Sequence, residues 1–214
     1  MSDRGRERTT PLLPFLEVER GEPQRQRIFA LRQDRVRSQS TGREGIIDRL
    51  IAPDWVNVVA FDENDRLLLV RQWRFGTMQF SVELPAGGLE PGEDPIVGGL
   101  RELEEETGHT PLNRDDVVML GATRPNAAFM DNRCFTIFVP RCRKTTAQRL
   151  DPLEEVEVLT MSRAELDGAL RDGARRCAAG EVPDAVGAML DNSLIVVALH
   201  LWKLHASAPK DVTT

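Results

Sequence analysis

The chain has 214 residues and a mass of 24.0 kDa, a size at which one domain buries a substantial core. Its 41% hydrophobic and 29% charged residues exclude disorder of the whole chain. No apolar run approaches the roughly 20 residues of a membrane-spanning helix, so we expect no membrane partner. The charged N-terminus lacks the apolar stretch of a secretory signal. Three cysteines at no metal-ligand spacing, Cys134, Cys142 and Cys177, fit reduced thiols and a cytoplasmic protein.

The net charge of -6 is concentrated in one short window. Residues 88–108 contain seven acids and one base, so this window alone carries the charge of -6 and the rest of the chain is neutral. A broad basic face for nucleic acid is therefore not indicated. We expect no nucleic-acid partner.

The predicted elements begin with a small N-terminal sheet. Residues 1–14 are polar and arginine-rich and predict no regular structure. Strand-like segments follow at 27–36 and 45–51, with turn-prone residues between them. We therefore separate residues 1–50, the N-terminal strands, from a main domain at 51–214.

The main domain is predicted to combine a mixed sheet with helices. Its best hairpin signal is the turn-prone run 62–65 between two apolar segments. Ser162 and Glu165 form a capping box that starts a helix extending to about Arg175. The other predicted elements are strands at 55–61, 66–71, 117–120, 134–139 and 156–161 and a final helix from about Asp184 to His205. This order indicates an α+β or α/β fold in which a mixed sheet lies between helices.

One further predicted helix lies in the acidic window. Asp94 as N-cap, followed by Pro95, predicts its start, and Gly108 predicts its end. Gly98 and Gly99 lie inside it, and each interior glycine costs roughly 0.5–1 kcal/mol relative to alanine. The pair implies either an irregular helix or another backbone segment packed closely against it.

Three glutamates of this helix share one face. Glu102, Glu105 and Glu106 stand at the i, i+3 and i+4 spacing. They repel one another and oppose the helix dipole near its C-terminus, so stability alone does not favour them. A hard divalent cation such as Mg²⁺ or Mn²⁺ would turn this repulsion into coordination, because such ions bind carboxylate and phosphate oxygens. From these residues alone, a solvated acidic face remains the alternative.

The spacing around these glutamates resembles the Nudix hydrolase family. Gly87, five residues, Glu93, seven residues and then Arg101-Glu-Leu-x-Glu-Glu-x-Gly108 match the family pattern at every specified position but the last. There the family has a bulky aliphatic residue and this chain has His109. The resemblance covers the chain from about residue 55 onward and implies the Nudix α/β/α sandwich.

The resemblance also implies roles for individual residues. Arg101 would orient the glutamates, and Glu93 would brace the loop or bind metal through water. The family's Mg²⁺ or Mn²⁺ ligands correspond to Glu102, Glu105, Glu106 and the backbone carbonyl of Ala86. The implied reaction is attack of a metal-activated water on a pyrophosphate linkage of a nucleotide.

Neighbouring segments resemble the branch of the family that hydrolyses ADP-ribose and nucleoside diphosphate sugars. These segments are Arg71-Gln-Trp-Arg74, Glu83-Leu-Pro-Ala-Gly-Gly88, and Pro125 at sixteen residues past His109. The run 125–132 lacks the Pro-Gly pattern usual in ADP-ribose enzymes, which favours a nucleoside diphosphate sugar.

Two arginines and two aromatic residues are candidates for substrate contact. Arg71 and Arg74 would bind the terminal phosphate or ribose, the alternative being strand-end arginines that face water. Trp73 or Phe75 is interpreted either as a base-stacking residue or as a core or dimer-interface residue.

The general base is expected in an acidic loop that this branch places before a helix. Glu154 is the first candidate and Glu155 the second, while Glu157 fits the polar side of a strand. A glutamate of the metal-binding set, Glu105, is the alternative.

Taken together, the resemblance implies a metal-dependent hydrolase that cleaves the pyrophosphate bond of ADP-ribose or a nucleoside diphosphate sugar. The products would be a nucleoside monophosphate and a sugar phosphate, and the N-terminal strands would support a homodimer. The alternatives are a hydrolase of nucleoside triphosphates or dinucleoside polyphosphates and a Nudix-like sensor that binds a nucleotide without cleaving it. The complete set of Arg101 and glutamates argues against a sensor.

Overall fold

A computed structural model describes residues 12–179 and 192–208. The chain forms two compact units. The small unit comprises Met1–Ala52 with Asn126–Asp131, and the main unit comprises Pro53–Pro125 with Asn132–Thr214. In the described part of the chain, no helix is long and apolar enough to cross a membrane.

The small unit is a four-stranded antiparallel sheet, of which the sequence predicted the two longer strands, at 27–36 and 45–51. Its strands are β1 (Phe15–Arg20), β2 (Gln24–Arg25), β3 (Ala30–Ser38) and β4 (Glu44–Ile51). β3 pairs with all three others. At its middle, the buried Asp34 accepts hydrogen bonds from Nε and Nη2 of Arg32 at 2.8 and 2.9 Å. This contact within β3 lowers the pKa of Asp34. Asp34 also accepts from the N–H of Gly21 at 3.2 Å, which links β3 to the segment after β1.

The main unit is built on a mixed sheet. Its strands are β5 (Trp55–Asp62), β6 (Arg66–Arg74), β7 (Gln79–Glu83), β8 (Ala86–Gly88), β9 (His109–Pro111), β10 (Val118–Thr123), β11 (Cys134–Lys144) and β12 (Val156–Ser162). The strand order is β10-β11-β5-β6-β12, with β7 paired to β6, β8 to β5 and β9 to β11. β11 and β5 are parallel, whereas the other pairs are antiparallel.

Helices cover both faces of this sheet. They are α1 (Pro95–Thr107), α2 (Arg163–Ala178) and α3 (Ser193–Ser207), and a short 3₁₀ turn spans Arg114–Asp116. Alternate residues of β5 point to opposite faces. Val58 therefore packs in one core cluster with Leu103 of α1, and Val59 packs in the other with Leu199 of α3. The predicted mixed sheet between helices is confirmed.

The strongest local predictions match the structure. In the 62–65 turn, Asp62 Oδ1 accepts from the backbone N–H groups of Asn64 and Arg66 at 2.8 and 2.9 Å. Ser162 and Glu165 form the capping box through bonds of 2.7 and 3.3 Å.

Element ends were predicted less accurately than element types. α2 extends to Ala178 rather than about Arg175, and α3 ends at Ser207 rather than at His205. The predicted start of the final helix near Asp184 lies outside the described residues.

The caps of α1 follow the prediction. Asp94 Oδ1 accepts from the N–H groups of Ile96 and Val97 at 2.9 and 3.2 Å. Gly108 ends the helix with a φ of 73°, a left-handed conformation that glycine adopts without strain.

The two interior glycines of α1 allow close packing of side chains. The helix is continuous through them, and the close approach comes from side chains rather than from another backbone segment. A Cβ at Gly99 would lie 2.6 Å from Ile137 Cδ1 and 3.0 Å from Val56 Cγ2. Because both neighbours are completely buried, neither has free space into which it could move. At Gly98 a Cβ would overlap Leu89 Cδ2.

Gly99→Ala should lower the free energy of unfolding, whereas Gly168→Ala in α2 should raise it. Overpacking a core costs about 1–3 kcal/mol, and the better helix propensity of alanine offsets only about 0.5–1 kcal/mol. Among the described residues, nothing lies within 4 Å of a Cβ at Gly168, so that variant keeps the gain in helix propensity without a packing cost. Urea unfolding of both variants checks the prediction. Equal stability of the two variants would contradict it.

Candidate active site

The candidate site lies where β8 passes along α1. Gly87 of β8 pairs with Val56 of β5 and lies directly over the carboxyl group of Glu102. A Cβ at residue 87 would overlap that carboxyl group. Only glycine therefore allows the backbone of β8 and the Glu102 side chain to come this close.

Arg101 gathers the acidic side chains around its guanidinium. Its Nε and Nη2 donate to the two oxygens of Glu93 at 3.1 and 3.0 Å. Nη1 donates to Glu102 Oε1 at 2.8 Å and to Glu105 Oε2 at 3.2 Å. Nη2 also donates to the carbonyl of Gly88 at 3.1 Å. One side chain thus joins the loop before α1 to two of the predicted metal ligands.

The network changes the pKa of its carboxyl groups in opposite directions. Hydrogen bonds from Arg101 lower the pKa of Glu93. Burial raises the pKa of Glu102, although Arg101 opposes this effect. Glu93 is therefore the more firmly ionised partner, while Glu102 is a carboxylate that a further positive charge would stabilise.

Glu106 is the most buried of the three glutamates, with an exposed fraction of 5%. Its Oε2 accepts from the backbone N–H of Ala86 at 2.9 Å. Burial, together with the charges of Glu102 and Glu154, raises its pKa to about 8. Glu106 thus fixes the position of the Ala86 peptide beside α1, and no cationic side chain of the described residues forms an ion pair with it.

The donors at this end of α1 suit a hard cation. They are carboxylate oxygens with excess negative charge, and Glu106 is buried without an ion pair. In residues 12–179 and 192–208, however, no three acidic, histidine or cysteine side chains are close enough to form a ready-made metal cage. Arg101 binds one oxygen of Glu102 and one oxygen of Glu105, so ligation of one ion by all three glutamates would require side-chain rearrangement.

Two arginines of β6 lie on opposite faces of the sheet. Arg74 donates from Nε and Nη2 to the two oxygens of Glu83 at 2.8 and 2.7 Å. The negative charge of Glu106 is among those that raise the pKa of Arg74. Arg71 donates to Glu157 on β12 at 3.1 Å and stacks over the Phe80 ring. Because residues three apart in a strand face opposite ways, only Arg74 points toward the α1 side.

The aromatic candidates are at the surface. Trp73 is 37% exposed and Phe75 is 74% exposed, so neither is a core residue. Trp73 makes an edge-to-face contact with Phe80, with ring centroids 5.1 Å apart. Base stacking and an interface role both remain predictions.

The loop between β11 and β12 brings Glu154 toward the site. Burial is the main cause of the raised pKa values of Glu102 and Glu106, and the negative charge of Glu154 adds a smaller contribution to each. Its exposed neighbour Glu155 is not among the principal causes of either rise. Within the loop, Glu154 Oε2 accepts from the N–H of Asp151 at 3.1 Å.

The sequence did not identify the residues that anchor this loop. Gln148 Nε2 donates to the carbonyls of Glu106 at 2.6 Å and Val156 at 3.0 Å, and the N–H of Arg149 donates to the carbonyl of Glu105 at 2.8 Å. The bonds to Glu105 and Glu106 satisfy carbonyls that the last turn of α1 leaves without helical partners. No local sequence motif predicts that Gln148 anchors the loop, because its hydrogen-bond partners lie on α1 and β12.

Comparison with known proteins assigns the family. A model of the NUDIX domain matches residues 53–179, and the chain therefore belongs to the Nudix family, as the spacing of residues 87–109 predicted. A solved structure, described as an ADP compounds hydrolase, covers 92% of this chain and 96% of its own, with a TM-score of 0.73 and 18% identity. This likeness confirms the fold.

Curated relatives carry more specific names. A methanol dehydrogenase activator of Bacillus methanolicus is 36% identical over 121 residues, which are 56% of this chain and 62% of the relative. An ADP-ribose pyrophosphatase of Bacillus subtilis is 47% identical over 58 residues, or 27% of this chain and 31% of the relative. The matched segments thus span less than two thirds of either relative. The predicted resemblance to the ADP-ribose pyrophosphatase branch is confirmed.

The raised pKa of Glu106 predicts a pH-dependent stability when divalent metal is kept away by a chelator. Its folded-state pKa of about 8 exceeds the ordinary value of 4.5, so the folded state binds the proton more tightly. The resulting stability is present below pH 4.5 and is lost as the pH rises through about 8, a loss of no more than about 5 kcal/mol.

Urea unfolding between about pH 5 and pH 9 measures this loss. Glu106→Gln removes the titrating group and retains a hydrogen-bond acceptor for the Ala86 N–H. The unfolding free energy of this variant should therefore fall less over the same range. Equal pH dependence of the variant and the unaltered protein would contradict the prediction.

Proposed function

We propose that the protein is a metal-dependent pyrophosphatase. It cleaves ADP-ribose or a nucleoside diphosphate sugar into a nucleoside monophosphate and a sugar phosphate. The observation that carries this proposal is the Arg101 network, which gathers Glu93, Glu102 and Glu105 at the end of α1 beside Glu106. Carboxylates collected in this way suit divalent cations and, through them, a diphosphate.

Mg²⁺ or Mn²⁺ would be held by three carboxylates and a backbone carbonyl. These ligands are Glu102, Glu105, Glu106 and the carbonyl of Ala86. When bound, the ion supplies Lewis-acid stabilisation of the negative charge that develops on the diphosphate oxygens. The same ion would replace the missing cationic partner of Glu106.

The side chains around the metal ligands would divide the remaining tasks. Arg101 and Glu93 hold the ligands in place. Arg74 binds the diphosphate, which places positive charge opposite the acidic end of α1. Glu154 accepts a proton from the attacking water, and its Oε1 is the available oxygen because Oε2 binds the Asp151 N–H.

The substrate class is supported from two directions. The Bacillus subtilis relative is an ADP-ribose pyrophosphatase, and the solved structure is described as an ADP compounds hydrolase. The run 125–132, in contrast, favours a nucleoside diphosphate sugar. ADP-ribose and sugar nucleotides share the same scissile linkage, so one catalytic arrangement serves both.

A cytoplasmic location is proposed as well. Cys134 and Cys142 are buried free thiols, and burial raises the pKa of each to about 12. Protonated thiols of this kind suit a reducing compartment.

A homodimer is proposed on the basis of the small unit. This unit exposes large apolar side chains, as expected for a surface that associates with another protein. They are Phe15, Leu16, Val18, Ile28, Phe29, Leu31, Ile46 and Ile47.

Light scattering after size exclusion should give twice the chain mass of 24.0 kDa, and the double variant Ile46→Asp, Ile47→Asp should shift the mass toward that of one chain. A monomeric unaltered protein would contradict this proposal.

The proposed activity is tested by release of phosphate monoesters from a panel of nucleotides with Mg²⁺ or Mn²⁺. ADP-ribose or sugar nucleotides should be cleaved fastest, and a chelator should abolish turnover. Glu105→Gln and Glu154→Gln should each lower kcat by about 100-fold or more. Glu63→Gln in the exposed turn after β5 is the matched control and should behave as the unaltered protein.

Several outcomes of this assay would redirect the proposal. Full turnover by Glu105→Gln or after chelation would refute the mechanism. A larger fall for Glu155→Gln than for Glu154→Gln would move the role of general base to Glu155. Faster cleavage of triphosphates or dinucleoside polyphosphates would change the substrate class, and tight binding without any product would indicate a sensor.

A further inference from the structure

The guanidinium of Arg74 is held by a carboxylate that has almost no contact with solvent. Glu83, the last residue of β7, is 5% exposed. Its oxygens accept from Nε and Nη2 of Arg74 at 2.8 and 2.7 Å. Two parallel hydrogen bonds of this kind fix both the plane and the direction of the guanidinium.

This pairing leaves one side of the guanidinium open. Nη1 of Arg74 has no hydrogen-bond partner in residues 12–179 and 192–208. The arginine side chain is 44% exposed. Among the charges that act on it are those of Glu106 and Glu154. The open Nη1 side is therefore available to an anion that approaches the acidic end of α1.

The segment that follows Glu83 links it to the metal-binding glutamates. Leu84 is buried, the carbonyl of Pro85 accepts from the N–H of Val58 at 2.9 Å, and the N–H of Ala86 donates to Glu106. Every residue of this run is thus fastened to the core or to α1. Glu83 consequently positions Arg74 from a rigid support.

A buried carboxylate is a costly way to join two strands. Its desolvation is offset only in part by an ion pair, and an apolar residue of similar volume often stabilises a protein as well or better. Packing between β6 and β7 therefore does not account for a glutamate at residue 83. The orientation of Arg74 does account for this glutamate, because the two oxygens of a carboxylate accept from both Nε and Nη2.

We propose that Glu83 is a positioning residue that directs the open Nη1 side of Arg74 at the diphosphate of the substrate. The inference rests on the proposed pyrophosphatase function and adds to it the residue that fixes the orientation of the phosphate-binding Arg74. Arg74 binds the diphosphate both before and during the reaction, so the loss of its orientation weakens binding more than it slows the chemical step.

The central experiment is a double-mutant cycle on Glu83 and Arg74. Glu83→Gln places an amide N–H group against a guanidinium N–H and should raise KM about tenfold to 100-fold with little change in kcat. Arg74→Lys keeps the charge, lacks the planar fork and should show the same increase. The double variant should be no worse than either single variant. Glu83→Asp, which keeps the carboxylate, should recover part of the affinity.

A control variant separates positioning from stability. Asp65 and Arg163 form a second two-bond pair, at 2.8 and 2.7 Å, between the turn after β5 and the start of α2. Asp65→Asn should lower the melting temperature and leave KM unchanged. A fall in melting temperature without a rise in KM for Glu83→Gln would therefore overturn the proposal. So would a rise in KM of the double variant equal to the product of the rises in the two single variants.

Binding of α,β-methylene ADP, a diphosphate that cannot be hydrolysed at that linkage, tests the inference independently of turnover. Calorimetry should show about tenfold to 100-fold weaker binding for Glu83→Gln than for the unaltered protein. If no nucleotide is cleaved, the proposed function fails and this comparison still decides the role of Glu83. Equal affinities would refute that role.

Discussion

One guanidinium holds together side chains that would otherwise repel one another. Glutamates on successive turns near the C-terminus of a helix oppose both each other and the helix dipole. Arg101 satisfies two of them and extends to Glu93 in the preceding loop. The loop, the helix and the acidic face are thus fixed by the same group, and Glu102 and Glu105 both contact Arg101 before any ligand binds.

The close packing of α1 against the sheet makes this arrangement possible. Gly87 admits the Glu102 carboxyl group beneath β8, and Gly99 admits Ile137 and Val56 against the helix. Both positions exclude even a methyl group unless neighbouring atoms move. The position of the acidic face is therefore set by the core.

Sequence reasoning predicted the features whose cause is local. The turn at 62–65, the caps Asp94 and Gly108 and the 87–109 spacing each depend on a few adjacent residues or on a fixed interval. Short strands such as β8, with three residues, gave no periodic signal. The pair of Arg74 with Glu83 and the bonds of Gln148 join residues from different elements, and one sequence does not reveal such partners.

The bonds of Gln148 have a consequence for how substrate preference can change. This side chain binds both the last turn of α1 and the first residue of β12. The two ends of the 149–155 loop are thus attached to regular secondary structure. Substitutions between these two attachments that spare Glu154 and Arg149, whose N–H binds the carbonyl of Glu105, would alter the loop and leave the metal-binding end of α1 undisturbed. New specificities are therefore accessible by mutation of one short loop, provided that Glu154, the proposed general base, is retained.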